Sequence, residues 1–372
     1  MKFSIKKKVI QQAVDFISNY IDNNDTNIFF RSIKFELDES ELILTGSSTT
    51  MSARKILTVD EDNIKHEING HFYVNAQNLK NIIKGMETEI QFTLRSDGVL
   101  EIQEDNDVFE LSTVEIDLIS NVVFADTKNR FKIKSKVFER IISNVAVSTS
   151  VGENAKNDSY KCIRIKNDEN GYINFSATDT FRLSFEKLPI KTQENINIMV
   201  DVKNIKKLIT KDAPEVVEVY HDNSVFGVVY ENTIIQTNVK IGDSMNLEEI
   251  IQNIQFTNVI KIEKKELEKL INKVVFYVSD KVKKLEFDIN NTEMKVQFEV
   301  PQIGRGEAVT NKFEYKQEPF LIDMNFAYLK EALSTFDSEI IYLKMNSDYS
   351  RVCIVSETEP NNIQLLTPIR RY

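Results

Sequence analysis

The chain has 372 residues, 41% of them hydrophobic, with 47 Lys and Arg against 57 Asp and Glu and a formal net charge of −10. This length predicts two or three domains with cores of their own, and the lack of long apolar runs excludes a membrane-spanning helix. Cys162 and Cys353 fall in apparent strands and need not pair. Since a signal-peptide pattern is also missing, we expect a reduced, cytoplasmic protein. The acidic balance argues against nucleic acid unless the basic residues gather on one surface.

A short strand that leads into a helix opens the chain and recurs twice. Apolar and polar residues alternate from Phe3, Phe131 and Ile260, and the apolar spacing then changes to three and four. The starts lie about 128 residues apart, which is a domain length rather than a solenoid period. This spacing indicates a triplicated domain, with coincidental strand–helix starts as the alternative. The predicted domains are residues 1–128, 129–256 and 257–372.

A second strand–helix unit lies in the latter half of each predicted domain. These units begin at Phe72, Ile198 and Phe320, so the chain has six such units with alternating strands between them. The clearest of those strands read ELILTGS, VFELSTV, YINFSAT, SVFGVVY, KLEFDIN, EMKVQFEV and IYLKMN. The stretch IGRGEAV at 303–309 has two glycines and no following helix, and we predict a hairpin turn there.

Basic residues repeat at a spacing of four on four of the six predicted helices. Like charges at this spacing disfavour a helix by a few tenths of a kcal/mol per pair, so the repetition favours a shared anionic partner. An ordinary solvated helix face is the alternative for any one helix. The sequence shows no base-reading motif, so the partner would be a phosphate backbone contacted without sequence preference. The predicted DNA-facing residues are Lys80, Lys84, Lys136, Arg140, Lys203, Lys207, Lys211, Lys265, Lys269 and Lys273.

A search for catalytic patterns finds none. The three histidines, His66, His71 and His221, show no metal-ligand spacing, and no P-loop, dinucleotide-binding or nucleophile-elbow motif occurs. We therefore predict neither catalytic residues nor a cofactor nor a metal.

Several segments resemble the beta sliding clamp of bacterial DNA polymerase III over the whole chain. SATDTFRLSF at 176–185 is similar to the family's A-T-D-x-x-R-L segment, and the tail LLTPIRRY is similar to its apolar–Pro–apolar–Arg ending. LTGSSTTM at 44–51 and VFELSTV at 108–114 resemble segments of the first domain.

The resemblance implies an α+β fold of three tandem DNA-clamp domains, each with two helices on antiparallel sheets, forming half a ring. Two chains would join head to tail into a homodimeric ring around duplex DNA. The function implied is a non-enzymatic processivity subunit of the polymerase III holoenzyme, which is a DNA-directed DNA polymerase, and so a transferase. By position in the family, the dimer interface would include Phe109, Tyr277 and Val278, for which burial in a core is the alternative.

The resemblance also implies a peptide pocket between the second and third domains. The polymerase alpha subunit, the clamp loader and repair proteins with a clamp-binding motif would dock there. Carried over by position, the pocket includes Tyr160, Thr178, Thr180, Phe181, Arg182, Leu183, Met245, Val282, Asn325, Tyr328, Leu365, Leu366, Pro368, Ile369 and Arg370.

The sequence departs from the family pattern at the rim of this pocket. Ser244-Met245-Asn246 stands where Phe-Pro-Asp is common, and Glu248-Glu249 follows where the family has an Arg. Thr180 replaces a common Gly or Ser, and Phe181 a common His. An acidic scaffold that binds only proteins and a metal-dependent nuclease are the alternative functions.

Overall fold

The computed structural model describes residues 1–60, 62–115, 121–150, 157–192, 195–241, 246–277 and 283–371. The chain divides into two compact units, each made of two segments. Unit 1 comprises Met1–Ser135 and Lys203–Val239, and unit 2 comprises Lys136–Val202 and Lys240–Tyr372.

The described residues include seven α-helices and 27 strands. The helices are α1 (Lys7–Ser18), α2 (Ala76–Gly85), α3 (Ser135–Ala146), α4 (Val202–Ile205), α5 (Leu247–Gln252), α6 (Lys264–Val274) and α7 (Phe326–Ser334). The strands of the first third are β1 (Lys2–Lys6), β2 (Ser32–Leu37), β3 (Glu41–Ser47), β4 (Met51–Thr58), β5 (Ile64–Ile68), β6 (Gly70–Asn75), β7 (Glu89–Leu94), β8 (Val99–Glu104) and β9 (Asp107–Ser112). Those of the middle third are β10 (Arg130–Lys134), β11 (Cys162–Asn167), β12 (Tyr172–Thr178), β13 (Arg182–Lys191), β14 (Asn197–Asp201), β15 (Val216–His221), β16 (Val225–Tyr230), β17 (Thr233–Asn238) and β18 (Lys240–Ile241). Those of the last third are β19 (Phe256–Glu263), β20 (Lys284–Ile289), β21 (Met294–Val300), β22 (Gly304–Thr310), β23 (Phe313–Glu314), β24 (Phe320–Asn325), β25 (Ile340–Asn346), β26 (Val352–Val355) and β27 (Asn362–Leu366).

Unit 1 contains two antiparallel sheets. A five-stranded sheet runs β5-β1-β7-β8-β9, and an eight-stranded sheet runs β10-β15-β16-β17-β4-β3-β2-β6. The Phe3 and Phe92 rings stack at 4.9 Å, and Phe35 and Phe72 stack at 4.8 Å, in the core of this unit. The β17–β4 pairing joins strands from the first and middle thirds of the chain, with Ile235 opposite Ala53.

Unit 2 repeats this arrangement with other strands. A ten-stranded sheet runs β18-β14-β11-β12-β13-β27-β26-β25-β19-β23, and a four-stranded sheet runs β22-β21-β20-β24. The β13–β27 pairing joins the middle third to the tail, with Leu183 opposite Leu365. A large apolar core packs α6 and α7 with the strands of the last third.

All six predicted strand–helix units are present, as β1–α1, β6–α2, β10–α3, β14–α4, β19–α6 and β24–α7. Apolar residues at spacings of three and four face the core, as in α6, where Leu267, Leu270, Ile271 and Val274 are buried. The side chain of Asn75 caps α2 by accepting a hydrogen bond from the Asn78 amide, and Asn325 caps α7 in the same way. The α+β class with antiparallel sheets is confirmed.

Two predicted elements are wrong. The helix after Asp201 ends at Ile205, and i→i+3 bonds such as Leu208 N to Ile205 O tighten the chain into turns. Lys207 and Lys211 therefore do not lie on a helix. Of the stretch 303–309, only Ile303 lies in the hairpin turn, and the residues from Gly304 onward form β22, which pairs with β21 along its length. A Cβ at Gly306 would lie 2.8 Å from the carbonyl oxygen of Val274, so the glycine permits a close backbone approach.

Cys162 lies in β11 and Cys353 in β26, and both are buried free thiols, as expected. Over the described residues, no helix is long and apolar enough to cross a membrane. Nor do three or more His, Cys, Asp or Glu side chains come together there as a set of metal ligands.

Candidate functional site

The hairpin turn between β12 and β13 is held by its own polar side chains. The Thr178 hydroxyl donates to the carbonyl oxygen of Arg182 at 2.7 Å. The Asp179 carboxylate accepts from the backbone amides of Phe181 at 3.0 Å and Arg182 at 3.1 Å. Thr180 has a φ of 81°, a left-handed conformation that favours glycine. The turn therefore contains local strain at Thr180, a position where the resemblance described above leads us to expect Gly or Ser.

Arg182 is a buried cation with three partners. Its Nε donates to Asp179 at 2.9 Å, its Nη1 donates to Glu331, and its guanidinium lies 4.1 Å from the centre of the Tyr328 ring. Only 6% of the Arg182 side chain is exposed. A charge buried to this degree is stable only when it is paired and hydrogen-bonded, so these partners fix the position of the guanidinium.

The tail of the chain lies directly beside this turn. Strand β27 pairs with β13, with Leu366 opposite Arg182. The Thr367 amide donates to the Phe181 carbonyl at 2.8 Å, and the Ile369 amide donates to the Asp323 carbonyl at 2.8 Å. Backbone hydrogen bonds thus connect the turn, the tail and the end of β24. We call this set the tail site: Thr178, Asp179, Arg182, Leu183, Tyr328, Glu331, Leu365 and Leu366.

A small apolar cluster supports the tail site. Leu183, Leu365, Phe185, Leu247 and Cys353 are buried together, with Ile251 and Ile254 packed against them. Helix α5 contributes Leu247 and Ile251, and its N-cap Asn246 accepts a hydrogen bond from the Glu249 amide. Burial raises the pKa of the Cys353 thiol to about 12, so this side chain behaves as a small apolar residue.

The start of α7 places two more predicted residues at this site. The Asn325 side chain accepts from the amides of Ala327 and Tyr328, so its oxygen serves the helix cap. Burial raises the pKa of Tyr328, and the charge of Asp179 raises it further. Tyr328 is therefore a neutral aromatic surface for Arg182.

The structure does not bring every predicted residue into contact with this set. Tyr160 is half-buried in a 3-10 turn, where its carbonyl accepts from the Ser150 amide. Phe181, Ile369 and Arg370 are exposed, and Pro368 is half-buried. Met245 and Val282 lie outside the described residues.

The predicted DNA-facing residues are mostly exposed, and Lys80 and Arg140 form ion pairs. Lys265, Lys269 and Lys273 are exposed on α6, opposite its buried face, as predicted. Lys84, Lys136, Lys203, Lys207 and Lys211 are also exposed. Lys80 pairs with Asp15 at 2.8 Å, and Arg140 is bound to the carboxylate of Glu186.

Each unit has a sheet edge with exposed apolar residues beside it. Strand β9 is an edge of the five-stranded sheet, where Phe109 is 43% exposed. Strand β22 is an edge of the four-stranded sheet, and Tyr277, 40% exposed, follows α6 in the same unit. Val278 lies outside the described residues. Unpaired apolar edges of this kind are usually covered by another element or another chain.

Three matches to one protein family cover nearly the whole chain. Residues 1–122 match the DNA polymerase III beta subunit N-terminal domain, residues 132–243 its central domain and residues 254–370 its C-terminal domain. The chain belongs to the DNA polymerase III beta subunit family. It is therefore a sliding clamp of DNA polymerase III, built from three tandem clamp domains, and a processivity factor whose general partners are DNA and polymerase.

Individual relatives agree with this family. The beta sliding clamp of Mycoplasmopsis pulmonis is 26% identical, with 100% of each chain covered. That of Borreliella burgdorferi is 25% identical, covering 99% of this chain and 98% of the relative. The crystal structure of the Bacillus subtilis sliding clamp matches with a TM-score of 0.90 at 17% identity, covering 100% of both chains. The Borrelia burgdorferi subunit in complex with a natural product matches with a TM-score of 0.82 at 20% identity, covering 100% of this chain and 99% of that one.

The sequence analysis did not identify the acidic partners of Arg182. Asp179 was visible, because it lies three residues before Arg182 inside the quoted family segment. Glu331 carried only a weak signal, its spacing of three from Tyr328 on a predicted helix. Helix α5 was also missed, although Asn246 followed by two acidic residues is a common helix start.

Proposed function

We propose that two copies of the chain join head to tail into a closed ring that encircles duplex DNA and tethers the replicative polymerase. The observation that carries this proposal is the pair of exposed apolar sheet edges, β9 in unit 1 and β22 in unit 2. In a closed dimer, β9 of one copy pairs with β22 of the other at both interfaces, so the β9 and β22 edges of both copies are covered. Phe109, Tyr277 and Val278 are the proposed contact residues.

The ring we propose holds DNA by topology rather than by tight binding. The strand–helix units contribute the lining, with Lys84, Lys136, Lys203, Lys207, Lys211, Lys265, Lys269 and Lys273 as exposed cations. Lys80 and Arg140 belong to the same proposed lining, although each has an acidic partner. Such contacts to phosphates fix no base sequence, so the ring slides. The whole chain has a net charge of −10 although the proposed lining is basic, so the remaining surface is acidic, which limits its non-specific adhesion to DNA.

The tail site is the proposed docking position for an extended peptide of the polymerase alpha subunit, the clamp loader or a repair protein. Apolar side chains of the supporting cluster would take the anchors of the peptide, and Arg182, Asn325 and backbone groups its polar atoms. Thr180, Phe181, Pro368, Ile369 and Arg370 border it. Tyr160, Met245 and Val282 remain proposed members from the family position alone.

We further propose that the chain is not itself catalytic, that it acts in the cytoplasm, and that its domains are residues 1–128, 129–256 and 257–372. These statements follow from the family and from the sequence repeat.

A fluorescence anisotropy titration tests the docking site. The probe is a labelled peptide with the clamp-binding motif Gln-Leu-x-Leu-Phe, titrated against the unaltered chain and against Arg182→Ala/Pro368→Ala. We expect saturable binding to the first and a loss of binding to the second. No binding to the unaltered chain would contradict the docking proposal. A measurement of the mass in solution then separates a clamp that binds another motif from a different kind of protein, because a ring requires a dimer. An acidic scaffold would also lack salt-sensitive association with DNA.

A further inference from the structure

We propose that Glu331, together with Asp179, makes the tail site selective against carboxylates, so that its occupant is a peptide that is neutral or basic where it passes Arg182. This inference rests on the proposed function of the tail site as a peptide-docking position. It names the chemistry of the partner and assigns Glu331 as a specificity-determining residue.

The first support is that one guanidinium is shared by two carboxylates. Asp179 and Glu331 both accept from Arg182, so the cluster carries a net charge of −1 although its central residue is basic. Asp179 and Arg182 are both more than nine-tenths buried, whereas half of the Glu331 side chain is exposed. An incoming group therefore meets the Glu331 carboxylate at the surface and finds the positive charge of Arg182 already neutralised.

The second support is that the nearest basic residue on α7 is turned to another partner. Lys330, next to Glu331, donates to the side-chain oxygen of Asn272 at 2.9 Å. Arg371 in the tail pairs with Asp323 at 3.3 Å. In the part of the chain that the structure describes, neither cation forms an ion pair with Glu331, whose partner is Arg182.

The third support comes from the other side of the supporting cluster. Helix α5 has Glu248 and Glu249 in its first turn and no basic residue in its last turn. Glu248 accepts from the side-chain amides of Asn174 at 2.9 Å and Gln252 at 3.2 Å, and neither of these neutral groups offsets its charge. Basic residues near this side of the tail site include Arg370 in the tail and Lys344, whose strand position is opposite Cys353.

The pKa of Tyr328 is affected by the same three charged side chains, Asp179, Arg182 and Glu331. Burial is the largest cause of the raised pKa of Tyr328; the charges of Asp179 and Glu331 add to the shift, and the charge of Arg182 opposes it. Two carboxylates and one guanidinium therefore surround this ring.

The test is a scan of single carboxylates along the docking peptide. In a series of labelled peptides, each position of the Gln-Leu-x-Leu-Phe motif and two residues on either side is replaced by Glu in turn, with Gln as the matched neutral replacement. Each peptide is titrated against the unaltered chain, against Glu331→Gln, and against Glu314→Gln as the control. Glu314 lies in β23, at the far end of the ten-stranded sheet, and pairs with Lys261 at 3.0 Å.

We expect one position, or two adjacent ones, where Glu binds about fivefold more weakly than Gln, the size of one unscreened unit charge at short range. Glu331→Gln should remove most of that penalty, Glu314→Gln should leave it, and added salt should reduce it in the unaltered chain. Equal penalties in the unaltered chain and Glu331→Gln, or a penalty that salt leaves unchanged, would overturn the inference while the docking proposal stands. No binding of the parent peptide to the unaltered chain would overturn both.

Discussion

The exposed guanidinium of Arg140, on α3, is bound to the carboxylate of Glu186, of which only 1% is exposed. The amide of Asn144 donates to the same carboxylate at 2.9 Å. Burial raises the pKa of Glu186, with both partners opposing the shift. An ionised carboxylate in such a position depends on its cation, so the pair links a surface helix to the interior of unit 2.

Removing Arg140 alone should therefore lower the free energy of unfolding more than replacing both members of the pair. We expect Arg140→Ala to lower the free energy of unfolding by about 2 kcal/mol at pH 7, because it leaves a buried charge uncompensated. Arg140→Ala/Glu186→Gln should recover more than half of that loss. Urea unfolding of the three proteins measures both quantities, and a double variant no more stable than Arg140→Ala would contradict the account.

The same pair has a pH dependence with a definite sign. A carboxyl whose pKa is higher in the folded than in the unfolded state binds more protons when folded. Its contribution to stability therefore falls as the pH rises from the unfolded-state pKa through the folded-state pKa. In Arg140→Ala the loss of stability should thus be smaller at pH 5 than at pH 7, since Glu186 then takes up a proton. Urea unfolding at the two pH values checks this, and a loss that grows at pH 5 would refute it.

The lysines of α6 should set the salt dependence of DNA binding. Replacing Lys265, Lys269 and Lys273 with Ala should make the slope of log K against log salt shallower by up to about 2.7, if each contacts one phosphate. Binding to linear duplex DNA measured over a salt series gives the slope. Replacing Lys166, Lys191 and Lys316, which are exposed and lie outside the helices, is the charge-matched control and should leave the slope unchanged. Equal slopes for both triple variants would argue against α6 as part of the lining.

Phe109 should be needed for the dimer. Phe109→Asp places a charge on the β9 edge, and we expect the solution mass to fall from twice 43.0 kDa to 43.0 kDa at micromolar concentration. Light scattering behind a sizing column measures this mass. Ile68→Asp, on β5 at the opposite edge of the same sheet, is the control and should remain dimeric. A dimer that survives Phe109→Asp would place the interface elsewhere.

The left-handed conformation of Thr180 should be relieved by glycine. Thr180→Gly should raise the free energy of unfolding by about 0.5–1 kcal/mol, because the strain removed exceeds the added flexibility of the unfolded chain. The matched control is Thr49→Gly, in the corresponding turn between β3 and β4, where φ is not positive. That change should be neutral or destabilising in the same thermal and urea unfolding measurements. If Thr180→Gly is less stable than the unaltered chain, the positive φ of Thr180 does not lower the stability of the turn, and the prediction is wrong.

Periodicity predicted the elements that bury one face. The apolar spacing predicted α6 and the alternation of apolar and polar residues predicted β21, because a buried face leaves a repeating pattern in the sequence. The length of α4 was overestimated, since the same spacing of Ile205, Leu208 and Ile209 buries these residues in turns as well. Strand β22 was not predicted because Gly306 interrupts its pattern. This glycine permits the close approach of Val274 at the end of α6, a contact that the local sequence does not show.

The candidate site was only partly predictable. The segment around Arg182 and the tail were recognisable from family resemblance, but nothing local showed that two carboxylates share the guanidinium. That arrangement depends on α7 lying beside the β12–β13 turn, and a single sequence does not contain that distance. Because of this arrangement, the net charge of the cluster around Arg182 is negative, whereas Arg182 alone would suggest a positive one.

The pairing of β13 with β27 has a consequence for how the protein is made. Strand β13 begins at residue 182, yet its neighbour spans Asn362–Leu366. During synthesis on the ribosome, the edge of β13 that pairs with β27 stays unpaired until almost the whole chain has been made. Contacts of such long sequence separation slow folding and expose the waiting edge to aggregation. Nascent chains of this clamp should therefore depend on chaperones until the last strand emerges.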